Sequence, residues 1–137
     1  MNFEHHDGGR QEAGFKGKTG DCVVRAIAIA TGLPYGQVYN DLKARMKADK
    51  KTKNTPRNGV PRHIFQPYLE ELGWQWHPTM KIGQGCRVHL TKEELPPGMI
   101  LARVSKHFVA VKDGTVYDIH DCTRKGSRCV YGYFRRA

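Results

Sequence analysis

The sequence predicts an α+β domain, with helices first and an antiparallel sheet after them, on three observations. Between Cys22 and Gly73 lie three segments of helical length, each with apolar positions and stop signals that suit helices. Beyond residue 98 the apolar residues fall in short runs separated by turn residues, the pattern of strands. Two of those runs flank Asp113-Gly114, a pair that favours a two-residue hairpin turn. A chain of 137 residues holds one core-bearing domain and is too short for two.

Residues 1–18 are polar and glycine-rich, and read as a flexible arm before a single domain over 19–137. Asp21 stands where a side chain can N-cap a helix opening at Cys22. From Val23 to Ala30 that helix is apolar on nearly every face except at Arg25, which predicts burial, and Gly32 supplies the stop. A second helix, from about Pro34 to Lys47, repeats Tyr35, Val38, Tyr39, Leu42 and Met46 along one face. A third fits "PRHIFQPYLEELG", opened by Pro61 and closed by Gly73, with Pro67 inside it as the source of a kink or a late start. "WQWHP", "CRVHL", "MILARV", "KHFVAV", "TVYDIH" and "CVYGYF" read as strands, with "TKEEL" as a helical turn.

Lys and Arg number 23 against 13 Asp and Glu, a formal charge of +10. Basic residues crowd residues 43–62, where Asp49 is the one acid, so this loop is the expected contact for an acidic protein partner or nucleic acid. No run approaches the length of a membrane span, and the first residues have no apolar core of the secretory kind, so a cytoplasmic protein without a membrane partner is expected. In that compartment Cys22, Cys86, Cys122 and Cys129 are expected as free thiols.

Cys22 raises the functional question. Packing is the simplest role for a cysteine opening a buried helix, but a helix N-terminus also favours a thiolate. A thiol nucleophile needs a base, and the hairpin selects one of the seven histidines. If Asp113 and Gly114 form the turn, Lys112 pairs with Thr115, Val109 with Asp118, and His107 with His120. His107 and Asp118 then share a face as diagonal neighbours, roughly 7–8 Å apart between backbones, within reach of a carboxylate that fixes the ring. Cys22 as nucleophile, His107 as base and Asp118 as orienting carboxylate make a consistent set, with the Cys22 backbone N–H as one oxyanion donor.

The combination of "GDCVVRAIAIATG" with "HFVAVKDGTVYD" resembles the papain-like cysteine peptidase fold, and within it the small bacteriocin-leader peptidases and short phage and bacterial proteins. The resemblance spans about residues 19 to 134. It implies Cys22, His107 and Asp118 as a catalytic triad at a cleft between a helical half and an antiparallel sheet. It also implies a protein or peptide substrate, no cofactor, and an acyl-enzyme resolved by water or an amine. Val23 follows the cysteine where papain itself carries an aromatic residue, and Lys16 stands where such enzymes often place an oxyanion-binding glutamine. Lys16, Lys18 or Thr19 is therefore the expected substitute donor.

Three further residues are candidates for substrate binding. Arg25, on the Cys22 face of its helix, calls for a structural carboxylate or a substrate carboxylate. Trp74 and Trp76 share a strand face and suit either the core or an aromatic wall. His120, Cys122 and Cys129 match no compact zinc spacing, so no metal is expected, while Cys122 is placed to line the cleft near His107. The competing function is a catalytically inactive basic module on the same fold, binding nucleic acid or an acidic protein.

Overall fold

The computed structural model describes residues 1–137 except 17–19, 50–54 and 82. Three helices, α1 (Cys22–Thr31), α2 (Tyr35–Ala48) and α3 (Arg62–Glu71), lie against one six-stranded sheet. Its strands are β1 (Asn2–His5), β2 (Trp74–Pro78), β3 (Met99–Val104), β4 (His107–Lys112), β5 (Thr115–Asp118) and β6 (Val130–Arg136). They run in the order β1-β5-β4-β3-β6-β2, and every pairing is antiparallel except β1 with β5. The α+β class holds, while the sheet is mixed where the sequence led us to expect antiparallel strands alone.

The parallel pair comes from the segment read as an arm. Asn2–His5 pairs in register with Thr115–Asp118, and the ladder continues through Asn2 N–H to the Gly114 carbonyl and His6 N–H to the Asp118 carbonyl, at 2.8 and 2.9 Å. All four side chains of β1 are exposed, so no alternation announces the strand.

The helices follow their apolar spacing. In α1, residues Val23 to Ala28 are all buried, and Gly32 closes the helix at φ 75°, a left-handed conformation that suits glycine. Tyr35, Val38, Leu42 and Met46 of α2, and Ile64, Phe65, Tyr68 and Leu69 of α3, face the same core. Pro67 sits at an exposed position inside α3.

The sheet separates two apolar clusters. Leu101, Phe108, Ala110 and Phe134 pack against the helices. On the opposite face Ile100, Ala102, Val109, Val111 and Val116 are covered by Leu90 and Cys122 from irregular segments. Asp113 and Gly114 both have positive φ, 48° and 82°, and the hairpin they close pairs Lys112 with Thr115, the register that the Asp-Gly turn predicts. "CRVHL" forms no strand, only a bridge between His89 and Cys129.

That bridge overturns the expectation of four free thiols. Val130 donates to the Val88 carbonyl and Leu90 to the Arg128 carbonyl, both at 2.8 Å, which draws residues 86–90 alongside the start of β6. Cys86 and Cys129 are joined there in a disulfide, their Cα atoms 5.8 Å apart. Cys22 and Cys122 are free. Among the described residues no helix is long and apolar enough to cross a membrane.

The disulfide joins residues separated by 43 positions, and closing a loop of that size contributes about 2–4 kcal/mol through the unfolded chain. Cys86→Ser/Cys129→Ser is expected to lose about that much in urea unfolding, and dithiothreitol to destabilise wild type but not the double variant. Equal stability of the oxidised wild type and the double variant would remove the bridge from the fold's energetics.

Candidate active site

Cys22, the first residue of α1, and His107, the first of β4, line one cleft of about 550 Å³ between α1, the segment leading into α3, and the β3–β4 end of the sheet. Val23, Val60, Phe65 and Phe108 supply apolar wall, and Arg62, Arg103 and Lys106 supply positive charge. Cys22 is half-buried and lines the cleft.

His107 and Asp118 meet behind that opening. Asp118 Oδ2 lies 2.5 Å from His107 Nε2, and Asp118 Oδ1 accepts from the Ile119 N–H at 2.7 Å. Arg25 Nη2 stands 3.6 Å from the same Oδ1. With Nε2 committed to the carboxylate, Nδ1 is the ring nitrogen left for a second partner. Burial alone would drive the His107 ring toward neutrality, but hydrogen bonding to Asp118, Cys122 and Cys22, with the Asp118 charge, pushes its pKa up to about 11. Burial also opposes the charge on Asp118, yet the His107 bond, the Ile119 N–H and Arg25 hold its carboxyl below the usual range.

Asp21 occupies the N-cap position of α1 but makes no side-chain capping bond. Its carboxylate instead accepts from Arg25 Nη1 at 2.8 Å and the Tyr35 hydroxyl at 2.5 Å, and pairs with Arg10 Nε at 3.2 Å. Arg25 thereby bridges two buried carboxylates, Asp21 and Asp118. The first N–H groups of α1 have no partner within the helix, and Asp21 leaves them uncapped beside Cys22.

Cys122 reaches the same imidazole from the other face of the sheet. One ligand atom each from His107, Asp118 and Cys122 lie within 4.8 Å of one another. Within that group Nε2 and Oδ2 form a hydrogen-bonded pair at 2.5 Å, with the Cys122 thiol beside them. The disulfide takes Cys129 out of the zinc set considered from sequence, and His120 lies against the His107 ring at 5.3 Å between centroids.

The other sequence candidates are dispersed. Lys16 is exposed and does not line the cleft; its carbonyl accepts from Arg57 at 2.7 Å. Thr19 and Lys18 lie outside the described residues, as do residues 50–54 of the basic loop. Trp74 is buried in the core, and Trp76 packs over Phe134 with Arg62 stacked on its ring at 4.3 Å. Sequence reasoning missed Asp21 as the hub of a charge cluster, although its spacing of four from Arg25 was a signal. It also missed the convergence of Arg62 and Arg103, for which no local signal exists.

No protein-family model, curated protein or solved structure matches this chain.

A raised imidazole pKa stabilises the fold fully below its unfolded value of about 6.5, and that contribution is lost as pH rises through the folded value. The depressed Asp118 carboxyl contributes above about pH 4 and loses its contribution in acid. The stability lost on His107→Asn is therefore expected to be largest between about pH 4 and 6.5 and to shrink steadily above that window. Urea unfolding of both proteins across pH 4–10 measures it, and a pH-independent difference would contradict the charged pair.

Proposed function

We propose that the protein is a thiol hydrolase of the papain-like cysteine peptidase type, acting on protein or peptide substrates through Cys22, His107 and Asp118. The observation that carries this reading is the 2.5 Å bond from His107 Nε2 to a buried Asp118, on a residue that lines the same cleft as Cys22. Asp118 fixes the ring and favours its protonated form, the form that can give a proton to a leaving group.

In the proposed reaction the Cys22 sulfur attacks the substrate carbonyl carbon, forming a C–S bond and placing negative charge on the carbonyl oxygen. The uncapped N–H groups at the start of α1 are the donors suited to that oxyanion, as expected from sequence of the Cys22 N–H, beside Lys16 or Thr19 as a second donor. His107 gives its proton to the leaving amine as the C–N bond breaks, leaving a thioester on Cys22. Water then attacks the thioester, His107 takes its proton, and the acid departs with Cys22 restored. An amine in place of water would make the same site an acyl transferase. The cytoplasmic location expected from sequence belongs to this reading because Cys22 must stay reduced, but the Cys86–Cys129 bond weighs against it.

Iodoacetamide at neutral pH followed by peptide mass spectrometry tests the pair directly. Cys22 is expected to alkylate at least about tenfold faster than buried Cys122, and His107→Ala to slow Cys22 by about tenfold or more. A slow Cys22, unmoved by His107→Ala, would leave the inactive basic binding module as the better reading.

A further inference from the structure

The cleft around Cys22 is lined by positive charge without a compensating acid. Among the described residues no aspartate or glutamate lines it, while Arg62, Arg103 and Lys106 do, in addition to Arg25. Arg25 is already neutralised by Asp21 and Asp118. Arg62 and Arg103 form no ion pair among the described residues, and each is only partly exposed.

Arg62 is also held in place. Its Nε donates to Gln66 Oε1 at 2.7 Å and its guanidinium stacks on Trp76, which fixes the plane and leaves the terminal nitrogens for a ligand. It stands at the first position of α3, where the helix dipole is positive and a cation is unfavourable. Burial and the nearby Arg103 both lower its pKa, a second sign that the site accumulates positive potential. Two guanidiniums on separate elements, α3 and β3, thus face one cavity with no internal counterion, the arrangement that a carboxylate resolves by bidentate hydrogen bonding.

We infer that Arg62 and Arg103 form a carboxylate-recognition subsite beside Cys22, selecting peptides that carry a carboxylate next to the bond attacked. The inference rests on the thiol hydrolase reading and specifies its substrate. The carboxylate has two sources, an acidic side chain or the C-terminus of the substrate.

Iodoacetate and iodoacetamide differ by one negative charge and deliver the same chemistry, the sulfur displacing iodide. The iodoacetate-to-iodoacetamide rate ratio at Cys22, in low salt, is expected to exceed that of glutathione by about tenfold. Arg62→Gln/Arg103→Gln is expected to lower the ratio about tenfold with the iodoacetamide rate within about twofold, and Arg62→Lys/Arg103→Lys to keep most of the preference. A wild-type ratio equal to that of glutathione overturns the subsite, as does a high ratio that the double Gln variant leaves unchanged, which would assign the field to His107. Slow iodoacetamide labelling insensitive to His107→Ala instead sinks the thiol hydrolase reading, whatever the ratio. Protection of Cys22 from iodoacetamide then separates the sources. Protection by an acetylated, amidated peptide with one Glu marks an acidic side chain, and protection by a neutral peptide with a free carboxylate marks a chain end. Equal protection by the Gln-amide peptide overturns the inference.

Discussion

The Arg25 guanidinium, buried between Asp21 and Asp118, is the interaction on which the site depends. A charge inside an otherwise apolar helix is tolerated only when partnered, because desolvation without a partner costs several kcal/mol. That requirement ties α1 to the end of β5 through Asp118. Through Asp21 it ties α1 to Tyr35 on α2 and to Arg10 in the N-terminal segment. Gly8 packs so closely on the Arg25 backbone that a Cβ there would come within 2.9 Å of the Arg25 carbonyl oxygen. Two consequences reach the cleft: Asp21 makes no side-chain cap on α1, and Asp118 is oriented toward His107.

The sheet supplies the other half of that geometry. His107 opens β4 immediately after the β3–β4 turn, and Asp118 closes β5, so the Asp113-Gly114 hairpin sets which side chains come together at its open end. Arg128 holds the segment behind them, its guanidinium donating to the Ser105 carbonyl in that turn and to the Cys122 carbonyl at 3.4 Å. Cys122 is thereby kept near the imidazole, and the Cys86–Cys129 bond fastens the residue just before β6. His107 is held by bonds that favour its charged form, on a cleft that Arg62 and Arg103 also line.

Much of this was legible locally. The faces of α2 and α3 follow from spacing, and the meeting of His107 with Asp118 follows from counting back from an Asp-Gly turn. What was not legible depends on partners distant in sequence or on patterns without periodicity. Strand β1 has four exposed side chains and pairs at a sheet edge, so its residues give no alternation. Cys86 and Cys129 are brought together by an irregular bridge that no cysteine spacing encodes. Asp21 was read from its position as a cap, but buried Arg25 and Tyr35 and half-buried Arg10 compete for its oxygens and win. Arg62 and Arg103 converge from a helix and a strand forty-one residues apart in sequence.

Buried Asp118 is expected to hold His107 as an imidazolium at a pH where a free histidine is neutral. Nitrogen-15 NMR of the His107 ring, titrated from pH 5 to 10, tests it most directly. Both ring nitrogens are expected to carry protons at pH 8, well above the ordinary histidine pKa of about 6.5. A ring that titrates near that ordinary value would contradict it.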